Sequence, residues 1–518
     1  MNAPFHDEPF PEVFGNASQV IVSADEQWIA VSSIGSHRSR VAVYRAADLS
    51  CAHLLTFPLD AEAIDFHPTL PLLSIGLNNG DAYQREGCLT LFEPGTGHRV
   101  DFADPDWGVE PARWLDARTL ELTFFTWESD CSQLQSRATV VRDDWLGLPS
   151  DALDLRTLPR TPLPPDTLVE HLDTELTYPL LRSLAEQAGR SYDGLGQVRA
   201  VAALSDGRVL ATRSHAVVEC WSPDGSLLWS VPAPSGIGGS RMEVSADERT
   251  VRVAVPGPDS RTRTDFPLVA TCDGRVLDRP SVPFAAALSA RTDGVWAIRD
   301  TYGRGSEAEP PAPPNTRTFA ADGTPLGTVH EPDRYDLVPI DVRRCPELLY
   351  GRRRRDVIAL DPRTAAETTL FPLEPFMVDR PLGRAVYVSD SAGPALLHGR
   401  TELVRRTFPA GEVVWTRPLD GEASEVVDLD AHAGVLHALC TDGVLLSVDA
   451  ADGTVLDRRA LPPYGPFSVH AAPDGTVLVG TSAGQILRCR ALPSGSRATD
   501  PGAPGRGRGA APAPARSG

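Results

Sequence analysis

The 518-residue chain contains no lysine, so all 49 of its basic residues are arginine. A Schiff-base enzyme, a pyridoxal-phosphate site and a P-loop each need a lysine at a fixed position. These three kinds of site are therefore excluded. Arginine remains available for carboxylate and phosphate groups, which its planar guanidinium binds through two parallel hydrogen bonds.

Paired cysteines and long apolar runs are also missing. The eight cysteines include no Cys-x-x-Cys pair, which favours buried free thiols over disulfides or a zinc site. No stretch approaches the ~20 apolar residues of a membrane helix. The first residues, MNAPFHDEPFPEVFG, lack the basic region and apolar core of a signal peptide. We therefore expect a cytoplasmic protein with no membrane partner.

Basic side chains are outnumbered by acidic ones. The chain carries 69 acidic residues against 49 arginines, which gives a net charge of -20. A field of this sign repels phosphate backbones, so nucleic acid is not an expected partner. Hydrophobic residues make up 42% of the chain, enough to bury a sizeable core.

A short turn signal recurs along the chain. It lies between two short apolar runs, as in LSDGRV and APDGTV, and Asp-Gly supplies the positive φ that tight hairpins need. Successive signals are 38 to 52 residues apart, except for a gap of 90 between Asp116 and Asp206. A four-stranded propeller blade needs ~40–50 residues. The ten signals lie at Asp25, Pro68, Asp116, Asp206, Asp247, Asp293, Cys345, Gly383, His432 and Asp474.

These units resemble the blades of the WD40 and PQQ-like propeller superfamilies. AIDFHPTLPLLSIG and CLTLFEPGTGHRV are similar to WD40-type strand pairs, and VVECWSPDGSLLW and LLSVDAADGTVLDRR are similar to PQQ-type ones. The resemblance covers about residues 19–492 and implies an all-β fold of about ten four-stranded blades. Those blades form either one large ring, or a ring of common size plus extra blades. The resemblance implies no site residue.

The repeats divide the chain into five parts. An N-terminal segment precedes the blades, and its FPEVFG stretch is a candidate for a ring-closing strand. A helical insertion separates three blades from seven. The tail is rich in Pro, Gly, Ala and Arg and is expected to be disordered. The boundaries are 1–18 for the N-terminal segment, 19–147 for blades 1–3, 148–196 for the insertion, 197–492 for blades 4–10 and 493–518 for the tail.

The insertion is expected to be α-helical over residues 163–191. Thr167 and Glu170 form a capping box, and Gly189 is a natural stop. Pro179 is expected to kink or split the helix, with Thr177 as a second cap. A leucine row either packs on the propeller or docks another protein. The row is Leu168, Leu172, Leu176, Leu180 and Leu184.

A run of four arginines lies in ELLYGRRRRDVIALD, at the turn between strands two and three of a blade. Four cations on one loop can bind a phosphate or an acidic segment of a partner protein. The alternative is a solvated hairpin tip that offsets the acidic charge of the chain. The run comprises Arg352, Arg353, Arg354 and Arg355.

Asp428, Asp430 and His432 alternate along one predicted strand, so their side chains share a face. Such a set can ligate a divalent metal, or it can form hydrogen bonds between neighbouring blades. With no fourth ligand in the pattern, the second interpretation is favoured and no metal site is predicted. No other motif indicates a cofactor or a catalytic residue.

The sequence therefore predicts a non-enzymatic cytoplasmic propeller that scaffolds or recognises other proteins. This prediction rests on many blades, varied charged loops and no convergent catalytic set. The alternative is a propeller enzyme, either a hydrolase or a lyase, or a small-ligand binder. In that alternative an anionic ligand would bind at the channel mouth.

Overall fold

The computed structural model describes residues 3–4, 9–13, 16–34, 39–79, 86–127, 133–164, 174–190, 192, 196–233, 238–245, 247–256, 263–283, 286–290, 294–300, 315–322, 324–330, 337–339, 342–343, 348–352, 356–361, 363–364, 366–372, 385–388, 393–398, 402–407, 410, 412–419 and 426–490. Within these ranges the protein is almost entirely β-structure, arranged in ten small sheets. Nearly all of the strand pairs are antiparallel.

The first three sheets precede the only α-helix of the described residues, and a two-residue strand, β1 (Ala3–Pro4), precedes them. Sheet 1 contains β2 (Asn16–Val22), β3 (Trp28–Ile34), β4 (Ser39–Arg45) and β5 (Cys51–Phe57). Sheet 2 contains β6 (Asp60–Phe66), β7 (Leu73–Asn78), β8 (Gly87–Phe92) and β9 (Arg99–Asp104). Sheet 3 contains β10 (Gly108–Trp114), β11 (Thr119–Trp127), β12 (Gln133–Val141) and β13 (Thr161–Pro162), with a 3-10 helix (Leu155–Thr157) before β13.

The helix α1 (Thr174–Gln187) leads into three further sheets. Sheet 4 contains β14 (Val201–Ala203), β15 (Val209–Ala211), β16 (Ala216–Trp221) and β17 (Leu227–Pro232). Sheet 5 contains β18 (Arg241–Val244), β19 (Thr250–Pro256), β20 (Arg263–Asp265), β21 (Leu268–Ala270), β22 (Val276–Asp278) and β23 (Ser281–Pro283). Sheet 6 contains β24 (Ala286–Ala290), β25 (Trp296–Asp300), β26 (Asn315–Phe319) and β27 (Pro325–His330).

Four sheets complete the described chain. Sheet 7 contains β28 (Leu337–Pro339), β30 (Leu348–Arg352), β31 (Asp356–Leu360) and β32 (Glu367–Pro372). Sheet 8 contains β29 (Val342–Arg343), which pairs in parallel with β33 (Ala385–Val388), followed by β34 (Gly393–His398), β35 (Glu402–Arg406) and β36 (Val413–Pro418). Sheet 9 contains β37 (Val426–His432), β38 (Val435–Cys440), β39 (Val444–Asp449) and β40 (Val455–Ala460). Sheet 10 contains β41 (Pro466–Ala471), β42 (Thr476–Thr481) and β43 (Ile486–Arg490), with β1 on its outer edge.

Aspartates hold many of the hairpin turns. The Asp206 carboxylate accepts the backbone N–H of Arg208 at 3.0 Å, and Gly207 adopts φ +86°. The turn at Asp474 is built in the same way, with Thr476 donating at 2.8 Å. The carboxylate satisfies a backbone donor that the turn leaves free, which is why Asp recurs at these positions. The predicted repeat of short hairpins is confirmed.

Sheets 1, 2 and 3 pack face to face in chain order. Val43 and Phe57 of sheet 1 share a buried cluster with Ile75 of sheet 2. The other face of sheet 2 meets sheet 3 in a second cluster, in which Phe102 lies with Phe124. The other face of sheet 3 carries the ion pair of Arg137, which is 45% exposed, with Glu121 at 3.4 Å, together with the exposed Val141.

The helix α1 covers the free face of sheet 1. Leu181 and Ala185 are fully buried in one cluster with sheet-1 residues such as Tyr44. Thr177 is buried and donates to the Ser18 carbonyl at 3.3 Å. The predicted helix is confirmed over 174–187, and residues 165–173 lie outside the described ranges. Of the two outcomes predicted for Pro179, a kink or a split, the split is wrong, because Pro179 lies inside a continuous helix and Thr177 is not a second cap.

Sheets 4 to 7 contact one another in chain order, as do sheets 8 to 10, and sheet 10 also contacts sheet 4. The strand β29 lies between β28 and β30 in the chain but pairs with β33 of sheet 8. The contact between the last and the first of these sheets joins β14 to β41 and β42. Val198, just before β14, donates its backbone N–H to the Thr481 carbonyl at 2.9 Å. A Cβ on Gly480 would lie 2.6 Å from a Val198 methyl, so the two segments touch closely.

The fourth strand of sheet 10 comes from the start of the chain. Ala3 pairs with Arg488, and Pro4 pairs with Leu487. The segment 10–15 was the predicted donor of this strand, and the structure places the strand earlier. Phe10 is buried instead against sheet 1, where it makes an edge contact with Tyr44 at 5.0 Å.

No helix within the described ranges has the length and apolar character needed to cross a membrane.

Candidate functional site

The junction between sheets 4 and 10 contains a fully buried ion pair. Arg213 is 0% exposed, and its Nε donates to Glu219 Oε2 at 2.7 Å. Its Nη1 donates to the Gly484 carbonyl of sheet 10 at 2.6 Å. One guanidinium thus joins a carboxylate of its own sheet to the backbone of the neighbouring sheet.

Glu219 accepts hydrogen bonds from two further side chains. The indole Nε1 of Trp221 lies 3.1 Å from Oε2, and Nε2 of His215 lies 3.3 Å from Oε1. Burial alone would raise the pKa of the Glu219 carboxyl, but the hydrogen bond from His215 and the charge of Arg213 lower the pKa below its ordinary value. Glu219 therefore remains a carboxylate although it is 2% exposed.

His215 is the accessible member of this group, with a side chain 46% exposed. It lies in the turn between the second and third strands of sheet 4. Its half-exposed imidazole stands beside the buried Glu219 carboxylate. The same arrangement can donate a hydrogen bond to an anion.

Local chain geometry brings the group together. Glu219 and Trp221 are two residues apart on β16, so their side chains share one face of the strand. The chain entering sheet 5 passes directly over the turn, because a Cβ on Gly238 would clash with the carbonyl oxygens of Arg213 and Ala216. Sheets 10, 4 and 5 therefore all contribute to the frame around this group.

The two aspartates singled out on β37 join sheet 9 to sheet 10. Asp428 accepts the Val469 backbone N–H at 2.6 Å, and Asp430 accepts that of Ala471 at 2.8 Å. Both carboxylates are fully buried. This is the hydrogen-bonding role that was favoured over metal binding. His432 is half-buried at the end of β37, and no set of three possible ligands in the described ranges could hold a metal ion.

Side chains also accept backbone hydrogen bonds across the junctions between the first three sheets. Asp65 accepts the Trp114 backbone N–H at 2.8 Å, and Gln19 accepts that of Ile64 at 2.8 Å. In each case a side chain on the first strand of one sheet binds the first strand of the next. Polar residues in the middle of apolar first strands are the sequence signal for these contacts.

The structure describes one member of the arginine run. Arg352 ends β30 and pairs in register with Asp356, the first residue of β31. Arg353, Arg354 and Arg355 lie outside the described ranges. Arg352 is thus the last residue of the second strand of sheet 7, and the third strand begins at Asp356. His215 lies between the second and third strands of sheet 4.

The predicted leucine row is described only in part. Leu168 and Leu172 lie outside the described ranges, and Leu176 lies in α1. Leu180 is 40% exposed, whereas Leu184 packs partly against sheet 1. The fully buried face of the helix is formed by Leu181 and Ala185, which the row did not include.

Sequence reasoning did not find the Arg213–Glu219 pair. Its signal is a glutamate inside the apolar strand AVVECW, preceded by an arginine in the turn. A charged residue in such a strand needs a partner, but the sequence does not identify which residue supplies it.

The chain matches no protein-family model and no curated protein in sequence. What the structure shares with the expected propeller architecture is the repetition of small antiparallel sheets. That likeness concerns architecture and carries no site residue.

Proposed function

We propose that sheets 4 to 10 close into a seven-bladed β-propeller ring of WD40 or PQQ-like type. The proposal extends to function: the ring and the stack of sheets 1 to 3 serve as a non-enzymatic scaffold that binds other proteins. This version of the fold is a ring of common size plus three extra blades.

The contact between the first and last of the seven sheets supports ring closure. It includes the backbone hydrogen bond from Val198 to Thr481 and the bond from Arg213 to Gly484. First strands meet first strands at several junctions, including β37 with β41 and β14 with β41. In a propeller the first strands surround the axis, so this pattern is the expected one.

The coverings of sheets 1 to 3 support an open stack beside the ring. An open stack needs caps, because each terminal sheet would otherwise expose an apolar face. Helix α1 covers sheet 1, and the outer face of sheet 3 carries the Arg137–Glu121 pair. Both ends of the stack are thus protected from water or made polar.

One observation carries the scaffold proposal. The buried ionisable side chains described at the sheet junctions are used to join neighbouring sheets. Asp428 and Asp430 bind backbone N–H groups of the next sheet, and Arg213 binds a backbone carbonyl. Such contacts make a rigid frame and leave the loops for recognition.

The test is a quantitative capture experiment with the full chain. We expect a reproducible protein partner whose binding weakens with salt over a Debye length of ~10 Å at 0.1 M. Replacing Arg352–Arg355 with Ser should reduce binding, mainly through slower association, while folding stays within ~0.5 kcal/mol. If this variant binds the partner as well as the native chain does, the arginine run is not the contact surface.

The matched control removes four exposed arginines from other turns and edges, so that net charge changes equally. R118S/R249S/R363S/R458S serves this purpose because all four residues are exposed. We expect this variant to retain the partner. Equal loss in both variants would indicate a general charge effect, and the absence of any reproducible partner would count against the scaffold.

A small-ligand binder or a hydrolase or lyase acting on an anionic substrate is the second candidate. The observation in its favour is the half-exposed His215 beside Glu219. Phosphate and acetate titrations followed by NMR at the indole N–H of Trp221, which is hydrogen-bonded to Glu219, would test it. Shifts that saturate in the native chain and vanish in H215Q would support this candidate over the scaffold.

A further inference from the structure

The outer wall of sheets 4 and 5 carries an apolar patch. Leu227 and Leu228 on β17 are 49% and 51% exposed, and Val276 and Leu277 on β22 are 41% and 45% exposed. We call these four residues the sidewall patch. Large apolar side chains clustered at the surface mark a contact site more often than scattered ones do.

The two halves of the patch are joined by a packed contact. Trp229 follows the leucines on β17, and its ring lies against Gly274 in the turn before β22. A Cβ on Gly274 would lie 2.7 Å from this ring, so no side chain separates the two strands there. The patch is therefore one surface that spans two sheets.

The described chain ends close to this surface. Arg488 of β43 donates to the Pro223 carbonyl at 3.2 Å, and Pro223 lies in the turn that leads into Leu227. The last described residue, Arg490, is two positions further on. The Arg490 carbonyl accepts a hydrogen bond from Arg459 of sheet 9 at 3.0 Å, so the described chain ends between sheet 9 and the turn beside the patch.

The chemistry of residues 491–518 complements the patch and its rim. This segment contains four arginines and one aspartate, whereas the chain as a whole has a net charge of -20. Asp224, Asp273 and Asp278 border the patch together with the exposed Arg275. The nearby Arg279 is paired with Asp265 at 3.2 Å, and Arg252 lies 3.9 Å from Asp278. The run AAPAPA at 510–515 favours a polyproline II conformation, which docks on apolar surfaces at low entropic cost.

We propose that residues 491–518 bind the sidewall patch of their own chain. The Ala-Pro run covers the four apolar side chains, and the flanking arginines face the bordering aspartates. About 20 residues separate Arg490 from this run, and a flexible linker of that length has a root-mean-square span of ~25 Å. Because the linker holds the segment near the patch, binding does not depend on protein concentration.

The test measures cleavage of the full chain by an arginine-specific protease at Arg506 and Arg508. A bound segment is cut only when it dissociates, so cleavage follows the unbound population. Replacing the sidewall patch by L227S/L228S/V276S/L277S should speed cleavage by ~5–30-fold, the population change expected for a docking contact of modest strength. Circular dichroism confirms that each variant is folded.

The control is V413S/V414S. These residues begin β36 with exposures of 53% and 42% and precede Trp415, which packs on Gly453 as Trp229 packs on Gly274. They lie on sheet 8, away from the end of β43, so cleavage should be unchanged. A second variant, D224N/D273N/D278N, should speed cleavage at low salt and lose this effect at high salt.

Equal cleavage rates in the native chain and in the sidewall variant would overturn the proposal. A concentration-dependent dimer that persists without residues 491–518 and is lost in the sidewall variant would also overturn it, since a second copy would then occupy the patch. Neither result depends on whether the chain binds other proteins.

Discussion

At the scale of single residues, arginine side chains make buried contacts in this protein that a lysine could not make. Arg213 binds Glu219 and the Gly484 carbonyl at the same time. Arg252 is 3% exposed and lies 3.7 Å from the ring centre of Trp296. The planar, weakly hydrated guanidinium tolerates burial between an aromatic ring and a carbonyl better than an ammonium does.

Replacing Arg213 with Met should destabilise the protein strongly. Glu219 would remain buried without its cation, and breaking a buried pair costs ~3–5 kcal/mol. Chemical denaturation measures the change. The double variant R213M/E219L removes both charges and should recover most of the loss. A single variant as stable as the double one would show that the pair carries no net coupling.

His437 should make stability depend on pH in the mildly acidic range. Burial lowers the pKa of this imidazole from 6.5 to about 4, although Asp430 opposes the shift. The unfolded chain therefore binds the proton first, and stability falls as pH drops from about 6.5 to about 4. The loss should reach roughly 3 kcal/mol at the acid end.

Urea unfolding of the native chain and of H437Q between pH 7 and pH 4 measures this contribution. The pH dependence should be shallower in the variant by that amount. Identical pH profiles would mean that the ring is protonated equally in the folded and unfolded chain.

At the scale of elements, the repeating hairpins were predictable and the contacts between sheets were not. Asp206–Gly207 and Asp474–Gly475 specify their turns through local backbone chemistry, so the repeat is visible in the sequence. Arg213 and Gly484 are 271 residues apart. No local pattern relates them, because their contact requires the sheets between them to be placed first.

The helix also combines a feature set by neighbouring residues with one set by residues far away in the chain. Its existence followed from apolar spacing, whereas the fully buried residues Leu181 and Ala185 each lie one position after a member of the leucine row. Leu180 and Leu181 are adjacent, and only contact with sheet 1 decides which of them is buried. The position of that sheet depends on residues more than a hundred positions earlier in the chain.

Leu180 and Leu181 provide a matched test of how α1 packs on sheet 1. L181A removes a fully buried side chain and should cost ~2–5 kcal/mol. L180A alters a side chain that is 40% exposed and should change stability within ~0.5 kcal/mol. Thermal and urea unfolding measure both. Similar costs for the two variants would contradict the packing of α1 on sheet 1.

At the scale of the whole molecule, the contact between sheets 4 and 10 can be tested by adding a methyl group at the point where the two sheets touch. In G480A the new methyl meets Val198, and such overpacking costs ~1–3 kcal/mol. V198A removes one of the crowded methyls, so the two substitutions should be non-additive by at least ~0.5 kcal/mol.

Gly95 supplies the control for this experiment. A Cβ at Gly95 would meet no atom within 4 Å, so G95A should change stability little. Two results would show that residues 198 and 480 are not in contact and that the ring is not closed there. One is a change in stability for G480A as small as that for G95A, and the other is strict additivity of the stability changes in G480A and V198A.

The pairing of β1 with β43 has a consequence for how the protein is made. A ribosome produces Ala3 and Pro4 long before Arg488, and at ~5–20 residues per second the interval is on the order of a minute. Sheets 1 to 3 and α1 can assemble during that time from contacts already synthesised. Throughout the same interval the edge of β1 that later pairs with β43 has no partner strand, and chaperones that bind short extended segments have the longest access to that part of the chain.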